Sequence, residues 1–232
     1  MKLPQHVVII PDGNRRWAKK NNKQSFLGHR EGAKTTQKIL EKALNLNIPY
    51  LTFWGCSINN VTKRPLSEAN FLFKIFEQYF KKIATDKTIR DNNVKINVLG
   101  RWETLFPEKT KNQIRKAIKA TEKYDHFVLT FLLAYSGTDE MIEAVRKISN
   151  AKNKTLLIDG ELIKNNLWTF NLPPVDLVIR TGGEPHWSAG FMMWDVAEAV
   201  LHFTKTLWPD FSTEEFENVI ENYDKTERRF GK

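Results

Sequence analysis

The sequence has a single cysteine, Cys56, among its 232 residues. One cysteine excludes an intrachain disulfide and a multi-cysteine zinc site, and it is typical of a protein kept in a reducing compartment. The longest apolar runs, such as residues 127–134, are far too short to cross a bilayer. Residues 1–5 are short and polar, so they do not predict a signal peptide. Together these absences predict a soluble cytoplasmic protein.

The composition is that of one folded domain spanning residues 1–232, with 41% hydrophobic and 12% aromatic residues. A formal net charge of +9 favours an anionic partner: nucleic acid, a membrane surface or a phosphorylated substrate. Many lysines fall in helical patterns, where a solvated face explains them. The arginines at segment ends point instead to phosphate recognition, because the planar guanidinium matches phosphate oxygens. These are Arg15, Arg16, Arg64, Arg180, Arg228 and Arg229.

Short apolar runs alternate with helical patterns along the whole chain. Predicted strands cover residues 6–10, 50–54, 94–99, 127–133 and 175–179, and each is followed by turn residues. Predicted helices cover residues 30–46, 66–84, 108–124, 138–149, 191–203 and 213–223. This alternation predicts an α/β fold with a mostly parallel central sheet flanked by helices. In such sheets ligands bind at the carboxyl ends of the strands.

The predicted helix at residues 66–84 has an apolar stripe too wide for a one-sided amphipathic helix. Two interpretations stay open. The helix is buried on two sides, or one of its sides lines a slot for a long hydrocarbon.

The segment PDGNRRW at residues 11–17 directly follows the first predicted strand. Asp12 therefore lies at the sheet's carboxyl edge, and Gly13 lets backbone approach a ligand closely. The next residues open a helix with two arginines, an arrangement that suits a diphosphate. A carboxylate beside a diphosphate requires a bridging cation, so the segment predicts Mg²⁺ at Asp12.

Four further clusters also carry polar groups at predicted segment ends. His29, within GHREG, is a candidate proton donor or phosphate contact, with helix capping as the alternative. Residues 57–60 precede Arg64 and Glu68 and predict a polar lip over a diphosphate. Residues 180–184 (RTGGE) follow a strand, and residues 228–231 (RRFG) end the sequence.

The motifs at residues 11–17, 26–32, 180–184, 207–211 and 228–231, in this order, resemble those of the cis-prenyltransferases, typified by undecaprenyl diphosphate synthase. The resemblance covers nearly the whole chain. It implies a homodimer with a hydrophobic tunnel for a growing hydrocarbon chain. It also implies Mg²⁺, an allylic diphosphate such as farnesyl diphosphate, and isopentenyl diphosphate, with peripheral membrane contact through the lipid product.

The resemblance assigns catalytic roles to Asp12, Asn60 and His29, and Asp12 is also the metal-associated residue. The segment Arg229–Gly231 matches an element that reaches into the neighbouring subunit's site. Substrate contacts are expected from a larger set: Gly13, Asn14, Arg15, Arg16, Trp17, Ser57, Arg64, Glu68, Arg180, His186, Ser188, Arg229 and Gly231. No Asp-Asp pair occurs, so the aspartate-rich motif of trans-prenyltransferases is absent.

The sequence departs from the family pattern at four places. Residues 185–190 lack the arginine expected ahead of Ser188, and His186 is the candidate that would take over its role. Val200 stands where a metal-binding glutamate is expected, and Glu198 lies nearby. Ser25 stands where the family has an arginine, and in our interpretation Arg15 compensates for its loss. Val61 stands where the family has an aromatic residue.

Three functions are therefore weighed. The favoured one is an active isoprenyl transferase with rewired diphosphate contacts, because Asp12, His29, Asn60, Arg64 and Arg180 all persist. The second is a weakly active or non-catalytic subunit that supports a partner chain. The third, a basic nucleic-acid-binding domain, lacks any recognisable binding motif. We therefore expect no nucleic-acid partner.

Overall fold

The computed structural model describes residues 2–150 and 157–226. Six strands form one sheet in the order β3-β4-β2-β1-β5-β6, and every neighbouring pair is parallel. The strands are β1 His6–Ile10, β2 Tyr50–Ser57, β3 Val94–Leu99, β4 Phe127–Tyr135, β5 Leu177–Arg180 and β6 Val200–Phe203. The predicted α/β fold with a parallel sheet flanked by helices is confirmed.

Helices cover both faces of this sheet. They are α1 Asn14–Lys20, α2 Ser25–Asn45, α3 Ile58–Thr62, α4 Leu66–Ile83, α5 Lys87–Asp91, α6 Trp102–Leu105, α7 Glu108–Ala120, α8 Gly137–Asn150, α9 Gly160–Asn166 and α10 Thr213–Lys225. A short 3₁₀ turn spans Trp208–Asp210. Within the described ranges, no helix is long and apolar enough to span a membrane.

Strand β1 runs through the centre of the sheet, and all five of its residues are buried. Val7 and Ile9 join the larger apolar core on one face, whereas Val8 and Ile10 join a smaller core on the other. This burial on both faces explains why the strand is a continuous apolar run. The next residues, Pro11 and Asp12, therefore emerge at the carboxyl edge of the sheet.

The predicted helix at residues 191–203 is wrong. Met192 has a φ angle of 42°, in the left-handed region that a continuous helix cannot include. The chain makes turns until Val200 and then forms β6, which pairs with β5 in parallel. Sheet pairing thus overrides the helical pattern of apolar residues. Glu198 therefore lies in a turn and Val200 begins a strand, so the two residues do not share a helix.

Two other elements extend beyond their predicted bounds at the site. Strand β2 continues to Ser57 through irregular pairing with β4 near Cys56. Helix α2 begins at Ser25, with Gln24 as its N-cap, so His29 is its fifth residue and does not cap it. Both extensions bring polar residues to the carboxyl edge of the sheet in ordered backbone.

Helix α4 combines both interpretations of its wide apolar stripe. On one side, Phe73 packs against Phe106 with ring centroids 4.8 Å apart. On the other side, Leu72, Ile75 and Tyr79 line a cleft between α4 and α2 of about 80 Å³. An apolar cleft therefore lies along one side of α4, and Phe131 also lines it.

Candidate active site

A pocket of about 470 Å³ opens at the carboxyl ends of β1, β2 and β5. It collects residues from three separated parts of the chain, as expected for a parallel sheet. Eleven predicted site residues line it: Asp12, Gly13, Asn14, Arg15, Arg16, His29, Ser57, Asn60, Arg64, Arg180 and Ser188.

Asp12 lies between two arginines at the end of β1. Its Oδ1 is 3.3 Å from the Arg16 guanidinium and its Oδ2 is 3.3 Å from that of Arg180. The Gly13 amide also donates to Oδ1 at 2.7 Å. Gly13 has a φ of 108°, and a Cβ there would lie 2.9 Å from a methyl carbon of Leu207. Only glycine fits this turn, which fixes the carboxylate against its cationic neighbours.

The start of α1 crosses α2 at unusually close range. A Cβ on Gly28 would lie 2.0 Å from the Asn14 carbonyl oxygen, and one on Gly32 would lie 2.2 Å from Asn14 Oδ1. The two glycines of the GHREG motif therefore let α2 approach the loop that carries Asn14. This approach also brings His29, which lies between them on α2, to the pocket wall.

His29 is a neutral imidazole in this environment. Burial disfavours its charged form and the nearby Arg64 disfavours it further, which lowers the pKa of His29 from 6.5 to about 4. Its Nε2 is buried without a hydrogen-bond partner in the described part of the chain. The pocket wall therefore carries an imidazole nitrogen that is buried and has no partner among the described residues.

Ser57 and Asn60 form a reciprocal capping box at the start of α3. The backbone N–H of Asn60 donates to Ser57 Oγ at 3.2 Å, and the backbone N–H of Ser57 donates to Asn60 Oδ1 at 3.1 Å. The pair thus holds the polar lip in a defined conformation. Both side chains face the pocket while they cap the helix.

Arg64 and Arg15 share a single carboxylate. Glu68 Oε1 lies 2.7 Å from Arg64 and 3.7 Å from Arg15. Burial and the positive charge of Arg15 lower the pKa of Arg64, whereas Glu68 raises it. Glu68 therefore orients Arg64 and lies behind the pocket wall, although we predicted a direct substrate contact for it.

Arg180 is the most enclosed cation of the pocket, with 5% of its surface exposed. One terminal nitrogen donates to the His186 carbonyl at 2.5 Å and to Ser188 Oγ at 2.9 Å. Segment 186–188 is thereby folded over Arg180. His186 itself does not line the pocket but hydrogen-bonds to Ser188.

Four buried polar atoms lack partners among the described residues: Asn14 Oδ1, His29 Nε2, Trp54 Nε1 and Arg180 Nε. All four belong to residues that line this one pocket. Buried polar groups are nearly always paired in native proteins, so such a concentration points to a ligand site. Trp54 was not predicted, and the only signal was its place at the carboxyl end of a predicted strand.

Two groups of predicted residues lie elsewhere. The Trp17 indole donates to Asp210 at 2.6 Å and stabilises α1 against the 3₁₀ turn, outside the pocket lining. Arg229 and Gly231 lie outside the described residues. Ser25, which replaces an arginine of the family pattern, is exposed. Arg15, which we expected to supply the missing positive charge, forms an ion pair with Glu68. Val61 packs against the main core.

Comparison with known proteins identifies the chain. Residues 10–231 match the family model described as putative undecaprenyl diphosphate synthase. The chain belongs to this family. A tritrans,polycis-undecaprenyl-diphosphate synthase (geranylgeranyl-diphosphate specific) from Pyrococcus horikoshii is 39% identical, over 99% of this chain and 88% of the relative. An isoprenyl transferase from Thermotoga maritima is 37% identical, over 100% and 98%.

Solved structures of the family have the same fold. Lavandulyl diphosphate synthase from Lavandula x intermedia, in complex with dimethylallyl diphosphate, superposes with a TM-score of 0.90 at 29% identity, covering 99% of both chains. A probable undecaprenyl diphosphate synthase from Campylobacter jejuni gives a TM-score of 0.81 at 27% identity, covering 100% of both. The chain is thus an isoprenyl transferase of the cis type, and the comparisons favour neither the supporting-subunit nor the nucleic-acid-binding interpretation.

Proposed function

We propose that this isoprenyl transferase binds two diphosphates in the pocket and a prenyl chain in the cleft between α2 and α4. The observation that supports this proposal is that the polar pocket and the apolar cleft adjoin and share five lining residues. Both are lined by Pro11, Asn14, His29, Gly55 and Leu72. A molecule with a charged head and a long hydrocarbon tail matches this division, as an allylic diphosphate such as farnesyl diphosphate does.

Each diphosphate has its own arginines in this proposal. Arg15 and Arg16 flank the shared lining and suit the allylic diphosphate, whose tail must enter the cleft. Arg64 and Arg180 suit isopentenyl diphosphate, together with Ser188. Arginine holds phosphate oxygens through charge-assisted hydrogen bonds, which are stronger than neutral ones. The unpartnered Arg180 Nε supports this assignment.

The donors present fit a Mg²⁺ ion that is shared with the substrate. Among the described residues, no group of three or more His, Cys, Asp or Glu side chains is placed to hold a metal. Mg²⁺, however, commonly binds through one or two carboxylates, substrate phosphates and water. Asp12 is 36% exposed at the pocket and would supply the carboxylate. The ion would neutralise charge on the departing diphosphate.

The reaction then follows from what this wall can bind. The electron pair of the isopentenyl double bond forms a carbon–carbon bond with the allylic carbon, and the allylic carbon–oxygen bond breaks. Arg15 and Arg16 stabilise the charge that develops on the leaving diphosphate. Neutral His29 orients it through its unpaired nitrogen. The loss of a proton finally forms the new cis double bond. The proton acceptor is Asn60, the leaving diphosphate or water.

We also propose a homodimer built on the exposed edge of the sheet. Leu201 and Phe203 of β6 are 48% and 37% exposed, and Met193 and Trp194, which precede this strand in the sequence, are 37% and 36% exposed. An apolar edge strand of this kind is a template for association. Replacing Leu201 with aspartate should convert the dimer to a monomer in size-exclusion chromatography with light scattering; a wild-type monomer would contradict the proposal.

We also propose a cytoplasmic location with peripheral membrane contact. A cytoplasmic enzyme that makes a long polyprenyl diphosphate must release this lipid into a membrane, so the protein contacts the membrane surface at that step. Contact of this kind is made at the surface of the bilayer and requires no membrane-spanning helix.

The direct test is turnover by the purified protein alone. It is incubated with Mg²⁺, farnesyl diphosphate and ¹⁴C-isopentenyl diphosphate, and label extracted into butanol is counted. The proposal predicts extractable lipid that depends on both substrates. Absence of lipid with every primer tested would contradict it and favour a supporting subunit that needs a partner chain.

A further inference from the structure

The hydroxyl of Ser188 lies between two side chains of the pocket wall. Its Oγ is 2.9 Å from a terminal nitrogen of Arg180 and 3.0 Å from Nε2 of His186. A serine hydroxyl has one hydrogen to donate and two lone pairs to accept with, whereas an arginine only donates. Ser188 must therefore accept from Arg180, and the state of His186 decides where the serine hydrogen points.

The neutral imidazole uses up this hydrogen. Glu184 Oε2 lies 3.6 Å from His186 Nδ1, so its carboxylate favours a proton on Nδ1. Nε2 then presents a lone pair, and Ser188 donates to it. Protonation of His186 reverses the bond, because Nε2 becomes a donor. Ser188 then accepts from both neighbours, and its own hydrogen is free to turn into the pocket.

We propose that His186 is a positioning residue that switches Ser188 between a spent and an available hydrogen-bond donor for a diphosphate. The inference rests on the proposed function, in which Arg180 and Ser188 hold isopentenyl diphosphate. Its consequence is a diphosphate affinity that falls as the pH rises and His186 loses its proton. In this role His186 does not simply replace an arginine, because it acts through the serine.

The other charged groups around His186 do not explain such a change. Glu184 faces the ring and is paired with Arg16 at 3.3 Å. Arg180 contacts the His186 carbonyl, and Lys205 lies beside Gly183. Carboxylates, lysines and arginines ordinarily keep their charge between about pH 5 and 8, whereas histidine does not.

The test is calorimetric titration of inorganic pyrophosphate into wild-type protein and His186→Leu at about pH 5.5 and about pH 8, the range in which histidine titrates. Leucine leaves the Ser188 hydrogen free at every pH. The dissociation constants of the two proteins should agree at the lower pH. At the higher pH the wild type should bind about ten-fold more weakly than His186→Leu, the effect of one hydrogen bond to a charged group. Comparing proteins at the same pH cancels the titration of pyrophosphate itself.

Ser188→Ala supplies the matched control. In that background, adding His186→Leu should change the pyrophosphate affinity at neither pH, because the hydroxyl is gone. His186 is 59% exposed, so its replacement removes little packing, and thermal unfolding of each variant checks the fold. Weaker binding of His186→Leu at the lower pH would overturn the proposal by showing that His186 contacts the ligand with its own charge. Equal affinities of the two proteins at both pH values would overturn it as well. The titration needs no turnover, so wild type that binds pyrophosphate but makes no lipid would count against the proposed function alone.

Discussion

Asp12 concentrates the chemistry of the pocket in one carboxylate. Both of its oxygens face arginines, Arg16 and Arg180, that serve different diphosphates in our proposal. A carboxylate in this position keeps the two cations apart and in place before substrate arrives. In our proposal, the same oxygens bind a cation that is shared with the phosphates once substrate is present.

Replacing Asp12 with alanine should lower kcat by about a hundred-fold or more, because the substitution removes the proposed metal ligand and the partner of both arginines. Initial rates at saturating substrates measure this loss. Asp91→Ala is the matched control, since Asp91 is 60% exposed and pairs with Arg90 on the surface. Normal turnover by Asp12→Ala would show that the site is assigned wrongly.

His6 couples stability to pH in a way independent of catalysis. It is fully buried, with Nδ1 2.9 Å from the Pro173 carbonyl and Nε2 2.8 Å from Thr52 Oγ1. Burial lowers its pKa from 6.5 to about 4, so the unfolded chain binds a proton in this range more readily than the folded one. The stabilisation is present above about pH 6.5 and is lost as the pH falls towards 4.

Over this pH window, we predict that protonation of His6 lowers the free energy of unfolding by about 3 kcal/mol. The figure follows because each unit of pKa difference corresponds to about 1.36 kcal/mol. Urea unfolding at several pH values measures it. His6→Gln should show a shallower decline on acidification than the wild type. His126→Gln, at an exposed position, should keep the wild-type slope. If His6→Gln keeps that slope too, His6 does not carry the effect.

At the scale of elements, the crossing of α1 over α2 positions the pocket. Gly28→Ala would place a Cβ 2.0 Å from a backbone oxygen, which cannot move as a side chain does. We expect a loss of about 1–3 kcal/mol in the free energy of unfolding, the usual cost of overpacking, together with reduced activity. Gly160→Ala is the control, because its nearest neighbour would be 3.6 Å away. Equal stability of the two variants in urea would contradict the close crossing.

Helices α2 and α4 line the cleft that we propose for the prenyl chain. Tyr79 separates the cleft from a second cavity of about 20 Å³ further along the same two helices. Tyr79→Ala should join the two spaces and shift the products towards longer chains, as measured by mass spectrometry. Tyr79→Phe keeps the ring and should leave the distribution unchanged. An unchanged distribution in Tyr79→Ala would mean that the chain grows elsewhere.

At the scale of the whole molecule, most of the sheet was predictable and its last strand was not. Strand β1 has its predicted bounds, because burial on both faces leaves an uninterrupted apolar run. Strand β6 alternates half-buried and exposed residues and depends on pairing with β5, a distant partner that a local pattern does not reveal. Local periodicity therefore identified five of the six strands, including the edge strand β3, and failed only at β6.

The pocket was predicted where residues lie at, or within a few residues of, the carboxyl end of a strand. Asp12, Asn60 and Arg180 come together because parallel strands end at one edge. The roles of Trp17 and Glu68 could not be predicted from the sequence. Trp17 contacts Asp210, and Glu68 contacts two arginines, and only the folded chain brings these partners together. Glycine spacing at Gly28 and Gly32 carried a packing signal that we interpreted only as part of a motif.

The geometry of the newly formed double bond tests the central claim most directly. Purified protein is incubated with farnesyl diphosphate, ¹³C-isopentenyl diphosphate and Mg²⁺, and the extracted product is analysed by NMR. A cis-type transferase that depends on Asp12 should give labelled double bonds in the cis configuration with the wild type and no such product with Asp12→Ala. Trans double bonds, or labelled product that Asp12→Ala makes equally well, would contradict it.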